Sequence, residues 1–470
     1  MRRTNNLGSE FLSKMTNKLL VIDLVGLNAP ALAKMPGLQK AFAKQAEPIP
    51  LQPPLPALTC SAQATLLTGT LPQQHGIVSN GWFFEETGES RFWLRSDRLV
   101  RGEKVWDALK AEDPSLRVAN LFWRFATHSR CDFIVTERPT YWANGRKSPD
   151  IFTTPDPLRD ELVQTLGAFP LFRFWGPATS IESSQWIADA TAHVMKTRDP
   201  HLTLTYLPHL DYDLQKFGPQ SEQAATACAE IDAVATRLVE QARELGRSVM
   251  VLSEYGITEV SKPVYLNRCL REAGWIRVQR AENGELLEGA DSEAFALCSH
   301  QIAHIHVRDE KNLADVKRKL ESLPGVERIL DAQAMQEAGL AHDRAGQLLA
   351  IAEPGAWFAY PYWLDDADAP DFARCVAIHD KPGHDPLEMF LGPGGKSHVI
   401  KRILQSKLGF RVPFDVISQD AARIGGSHGR LPDSLQEGPL LLTDFDGELA
   451  DSLAMTEIKS LMLQQVLGSA

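Results

Sequence analysis

The sequence predicts an α/β fold built on an open, mostly parallel sheet, and three observations carry that prediction. "KLLVIDLVGL" (18–27) is an apolar run broken only by Asp23, the pattern of a strand buried on both faces. "HLTLTYLPHLDYD" and "SVMVLSEYGIT" repeat it with strands at Leu202–Leu207 and Val249–Leu252, followed by Asp211 and by Glu254-Tyr255-Gly256. Between them, "SEQAATACAEIDAVATRLVEQARELG" (221–246) has helical spacing and closes on Gly246, the residue a helix C-terminus favours. Strand, helix and strand with acids past the strand ends describe a sheet whose ligands bind outside its carboxyl edge.

Bulk properties narrow the function. The chain has 470 residues, 44% apolar and 23% charged, the composition of a globular protein with room for one large domain and an insertion. A net charge of −11 without a long basic cluster argues against a partner that is a nucleic-acid polymer. A small anionic substrate stays open, since metals or local dipoles can supply the positive field. Six scattered cysteines without a C-x-x-C pair fit neither a zinc ribbon nor a disulfide framework. The polar N-terminus, 1–17, reads as a disordered leader without the apolar core of a signal peptide, with Met15 as the alternative start. No run approaches the roughly 18 apolar residues of a membrane span. The expected setting is cytoplasmic, with no membrane partner and an open oligomeric state.

From 262 to 354 the pattern changes: "QIAHIHV", "NLADVKRKLESL" and "VERILD" read as a small β-α-β piece, an inserted α+β cap. The core is then 18–261 and 355–470, with "RCVAIHDKPGHDPLEMF" (374–390) returning to the main sheet. The C-terminal "LLLTDFDGELADSLAMTEIKSLMLQQVLG" reads as a loop and a closing helix, its "TDFDGE" acids solvated.

Asp23, Asp211, Glu254 and His379 all follow apolar strands, and together they suit a divalent metal site, with room for two ions. Taken singly, each acid also reads as a helix cap or turn residue. "LPALTCSAQATLLTGTLPQQHGIVSN" (55–80) sets Thr59, Cys60 and Ser61 at a helix mouth. The free N–H groups and positive dipole end there suit a phosphate or sulfate, and a hydroxyl activated beside them becomes a nucleophile. Thr59 alone also reads as a plain N-cap.

These stretches resemble the type I phosphodiesterase/nucleotide pyrophosphatase branch of the alkaline phosphatase superfamily. That branch has a strand-end Asp, a P-x-x-T stretch, then T-G-x-x-P-x-x-H-G-I and an Asn. Here they fall on Asp23, on Pro56 to Thr59, on Thr68-Gly69, Pro72 and His75-Gly76-Ile77, and on Asn80. The resemblance implies an alkaline-phosphatase-like three-layer sandwich with a central mostly parallel sheet. It implies a phosphate-ester hydrolase with one or two divalent ions and a threonine phospho-enzyme. Thr59 becomes the nucleophile, Asn80 the holder of a phosphoryl oxygen, and Asp23, Thr59 and Asp211 metal ligands.

Departures follow in the same stretches. Where the family has D-x-x-x-H, this chain has Asp211 and Gln215; its S-D-H-G is Ser253-Glu254-Tyr255-Gly256. Its late H-G-Y-D is approximated by "HDKPGHDP", with His379 as the first choice of ligand and His384 as the second. Gln215, Glu254 and Tyr255 move the site toward oxygen ligands, so manganese, magnesium or iron stand beside zinc. Tyr255 reads either as a phenolate ligand or as a ring filling vacated space. The same changes keep alive a phosphonate or sulfate-ester hydrolase, a phosphotransferase, and a degenerate protein that binds a phosphorylated metabolite.

Other residues stay ambiguous. Trp82 and Phe83, with Phe84, Trp123, Arg124 and Phe125, read as a leaving-group pocket that includes Trp82 and Phe83 as substrate contacts, or as core. His300, His304 and His306 read as cap surface or a wall facing the substrate, and His209 as structural or as a substitute ligand.

Overall fold

The computed structural model describes residues 17–43, 47–143 and 147–468, so the leader and its Met15 lie outside the described residues apart from Asn17. The central sheet has nine strands in the order Leu453–Ala454, Ile49–Gln52, Leu440–Thr443, Ser248–Leu252, Leu19–Leu24, Leu202–Leu207, Val118–Leu121, Phe133–Glu137, Ile151–Thr154. Leu19–Leu24 is parallel to both its neighbours, as the uninterrupted apolar runs require. Their register sets Asp23 beside Tyr206 and Leu252, so the chain leaving each neighbouring strand delivers its acid to the same edge.

Helices Ile181–Arg198, Glu222–Glu244 and Pro36–Phe42 pack together, and Ile458–Leu467 packs on Thr59–Thr68 and Val105–Glu112, giving the three layers. A second, antiparallel sheet runs in the order Ala294–Ser299, Ile302–Val307, Leu348–Ala352, Val326–Leu330 and has its own apolar core. The strand-helix-strand reading of 301–331 holds, with helix Leu313–Glu321 between the two strands.

Two elements differ from expectation. Residues 374–390 form no strand; they carry 3-10 turns at Asp371–Arg374 and Pro386–Met389. The reason lies in Pro382 and Pro386 and in Lys381, buried to 1% exposure, whose Nζ holds Asp385 at 2.7 Å and Glu388 at 2.8 Å. Conversely, Leu440–Thr443 is a wholly buried strand antiparallel to Ser248–Leu252. Asp444 beyond it is not solvated: it holds Arg243 at 2.6 Å and accepts from the Val249 backbone N–H at 3.0 Å.

Candidate functional site

Helix Thr59–Thr68 is buried along its whole length and starts from Leu58, an extended residue without a side-chain cap. Thr59 is therefore the first helical residue, not the cap, and its hydroxyl is free for other work. That hydroxyl lies 3.1 Å from the Tyr255 hydroxyl, which donates to Asp211 Oδ1 at 3.3 Å. With its one proton given to Asp211, Tyr255 accepts the proton of Thr59, so a hydrogen-bonded run leads from Thr59 to a carboxylate. Cys60 is a poorer nucleophile, because burial pushes its thiol up to about 12. Its backbone N–H donates to Asn80 Oδ1 at 3.0 Å, which leaves Asn80 Nδ2 buried without a partner beside the helix start.

The strand ends bring Asp23, Glu254 and Asp211 together, as the sequence predicts. Between the first two stands Gln63, four residues past Thr59 on the same helix: its Nε2 donates to Asp23 Oδ2 at 2.9 Å and to Glu254 Oε1 at 2.6 Å. Gln63 Oε1 accepts from the Arg124 backbone N–H at 2.6 Å. On the other side Gln215 Nε2 donates to Asp211 Oδ2 at 2.8 Å. Burial, with repulsion from Glu254, holds Asp23 well above the usual carboxylate range. Burial does the same to Asp211, raising it to about 7 with Glu254 adding repulsion against the bonds from Gln215 and Tyr255. Burial also raises Glu254 and keeps the Tyr255 phenol protonated. Gly256 closes this motif: a Cβ there would stand 1.7 Å from the Glu437 carbonyl oxygen.

Three acceptors at this edge, Asp23 Oδ1, Glu254 Oε2 and Gln215 Oε1, are buried without a hydrogen-bond partner. Orphaned oxygens among mutually repelling acids fit a hard, oxygen-liganded cation better than zinc. Among the described residues, no group of three or more His, Cys, Asp and Glu side chains is already arranged to hold an ion.

The two late histidines part company. His379 turns Nδ1 to the Phe92 carbonyl at 3.3 Å and stands near Arg95 and Arg124. His384 instead is buried and joins a row of rings: it stacks on His300 at 4.1 Å, His300 lies 3.9 Å from His428, and His428 stacks on Tyr255 at 3.5 Å. His428 was not predicted. Its Nδ1 lies 2.9 Å from the Ala57 carbonyl, and its Nε2, like that of His384, is buried without a partner. The only hint in the sequence is its setting, "GGSHGR", where glycines let two backbones approach.

The remaining candidates divide. Phe83 packs on Phe295 and His306 in the second sheet's core, and Trp82 is buried with Arg344 over its ring. His304 and His306 are buried, not cap surface; His304 lies 3.0 Å from the Val78 carbonyl and accepts from the Gly346 N–H. His209 pairs with Glu230 at 2.8 Å. Trp123 bonds the Thr205 carbonyl within the core. Arg124, by contrast, pairs with Glu137 at 3.1 Å and lies over the Trp93 ring at 5.0 Å, with Nε unpartnered.

A nine-stranded mixed sheet with a threonine at a helix start facing strand-end acids defines an alkaline-phosphatase-like fold. Solved structures agree: murine ectonucleotide pyrophosphatase/phosphodiesterase 5, an inactive variant in complex with AMP, has a TM-score of 0.59 at 14% identity over 96% of this chain and 95% of that one. Phosphonoacetate hydrolase from Sinorhizobium meliloti, in complex with phosphonoformate, has the same TM-score and identity over 96% of each chain. The chain belongs to the type I phosphodiesterase/nucleotide pyrophosphatase family, whose profile matches residues 19–385. A Schizosaccharomyces pombe protein named as an uncharacterized pyrophosphatase/phosphodiesterase is 27% identical over 256 residues, 52% of this chain and 45% of that protein. Human ectonucleotide pyrophosphatase/phosphodiesterase family member 1 is 22% identical over 245 residues, 48% of this chain and 22% of that protein. The chain thus spans less than half the length of these curated relatives.

Proposed function

We propose that this protein hydrolyses a small phosphate ester through a phospho-enzyme on Thr59. The observation that carries the reading is the run from Thr59 through Tyr255 to Asp211. As Thr59 Oγ1 bonds phosphorus and the ester oxygen leaves, the threonine proton passes to Tyr255 while Tyr255 gives its own to Asp211. An acid held at about 7 suits a base working near neutrality. Asn80 Nδ2 and the start of helix Thr59–Thr68 supply donors for the charge on the phosphoryl oxygens. Water then attacks phosphorus as the bond from Thr59 Oγ1 to phosphorus breaks; Asp211 returns its proton to Thr59 through Tyr255, and the water's proton passes to solvent. Asp23, Glu254 and Gln215 would hold a hard divalent ion, manganese or magnesium ahead of zinc, which leaves Asp211 free to take the proton. Such a cation, when bound, neutralises the phosphoryl charge. The His300 and His428 rings separate His384 from Tyr255, and His379 faces the Phe92 carbonyl, so neither late histidine is assigned to the ion. Hydrolysis of a phosphonate, the activity for which the Sinorhizobium neighbour is named, would call on the same parts.

A second reading is a protein that binds a phosphorylated metabolite without turning it over. It is favoured by the Gln63 amide standing between Asp23 and Glu254. Hydrolysis of bis(4-nitrophenyl) phosphate with added manganese or magnesium separates the two. Turnover lost in Thr59→Ala supports the enzyme. Undiminished turnover in that variant removes Thr59 from the reaction. Thermal stabilisation by AMP without turnover of any ester supports the binding protein.

A further inference from the structure

Directly beyond the residues the family profile matches, which end at 385, lies a helix built inside out. Helix Gly395–Lys407 contains no buried residue. Its polar side is the one held to the protein: Asp415 lies 3.0 Å from His398 Nε2 and accepts from Arg402 Nε and Nη2 at 2.7 and 2.8 Å. Its apolar side faces out, with Ile400, Ile403, Leu404 and Leu408 exposed by 57, 40, 55 and 76%. Phe410 and Phe414 continue the patch, exposed by 65 and 44%. Six of the fourteen exposed large apolar side chains among the described residues thus fall within fifteen positions. A surface helix ordinarily turns such residues inward, so this face is made for a partner.

Charge identifies the partner's chemistry. In a chain of net charge −11, residues 391–414 contain no Asp or Glu, while Lys396, Lys401, Lys407 and Arg411 are exposed. At 100° per residue Lys396 and Lys407 fall between Ile403 and Ile400, on the apolar side itself. Lysine is depleted from the core of protein interfaces. At a bilayer surface it is favoured, because its stem lies along apolar neighbours while its ammonium reaches the headgroups. Thirteen helical residues span about 20 Å, too short to cross the hydrocarbon but suited to lying in its surface. No helix among the described residues is long and apolar enough to cross a membrane.

We propose that residues 395–414 seat this protein on an anionic lipid surface, with Ile400, Ile403, Leu404, Leu408 and the two phenylalanines among the acyl chains and the lysines at the headgroup phosphates. Asp415 fixes the helix so that the body of the protein stands at a defined orientation above the bilayer.

Vesicle flotation with the full chain tests this, comparing phosphatidylcholine alone with phosphatidylcholine mixed with phosphatidylglycerol. The protein is expected to float with the mixed vesicles only, and to be released by high salt. Lys401→Gln and Lys407→Gln should each weaken partitioning roughly five-fold, and Leu404→Asp with Leu408→Asp should abolish it. Melting curves matching the wild type show that these surface variants remain folded. Wild-type protein that floats with neither vesicle, or a Leu404→Asp/Leu408→Asp variant that floats as well as wild type, would overturn the proposal. So would light scattering that shows a dimer dissociated by Leu404→Asp, since the face would then belong to a second copy of the chain.

Discussion

Gln63 is the residue on which the site's architecture depends most. Replacing it by leucine keeps its volume but removes three hydrogen bonds: two from Nε2 to Asp23 and Glu254 and one accepted from the Arg124 N–H. Asp23 and Glu254 are fully buried, so water cannot replace what they lose. A bond to a charged group contributes about 1.5–3 kcal/mol and a neutral one about 0.5–1.5, so two of the first and one of the second put Gln63→Leu at roughly 3.5–7.5 kcal/mol of lost stability. Urea unfolding of chelator-treated protein near neutral pH measures it. Gln63→Glu, which keeps an acceptor for Arg124 but adds a third carboxyl, should be destabilised further as pH rises and should regain more on adding manganese than Gln63→Leu does. A loss below about 1 kcal/mol in Gln63→Leu would refute the bridging role assigned to the amide.

Two further outcomes follow from buried charge. Asp211 keeps its proton to about 7 when folded but releases it near 3.8 when unfolded, so the folded state binds more protons between those values. Stability of the cation-free protein should therefore fall as pH rises from about 4 to about 7, by about 4 kcal/mol at about 1.4 kcal/mol per unit. Urea midpoints across that range check it: Asp211→Asn should reduce the slope by up to about one proton's worth while the raised Asp23 and Glu254 keep the remainder, and a wild type without slope would contradict it. At the 374–390 turn, Lys381→Met leaves Asp385 and Glu388 buried without their cation. A loss of about 3–5 kcal/mol is expected in thermal or urea melts, restored in part by adding Glu388→Gln, which leaves Asp385 still unpaired; no loss would mean the acids are satisfied otherwise.

The elements that were legible are those whose pattern has one physical meaning. An apolar run with a terminal acid is a buried parallel strand, and three of them brought Asp23, Asp211 and Glu254 to one edge. Leu440–Thr443 escaped because three leucines and a threonine before a run of acids look the same in a loop, and only pairing with Ser248–Leu252 makes them a strand. At 374–390 the apolar "CVAI" suggested a strand, whereas the buried Lys381 ion group two residues past His379 decides the conformation. Gln63 and His428 were missed for a common reason. A polar residue in a helix and a histidine between glycines carry no periodic signal, and their roles arise only from contacts distant in sequence.

Transfer of the phosphoryl group to Thr59 can be caught by rapid acid quench. The enzyme is mixed with a slowly hydrolysed phosphodiester and digested, and the peptide bearing 59–68 is analysed by mass spectrometry. One added phosphoryl group is expected on Thr59, absent from Thr59→Ala and accumulating when the attack of water is slowed. Turnover with an unmodified Thr59 at every quench time, or phosphate on another residue, would contradict it.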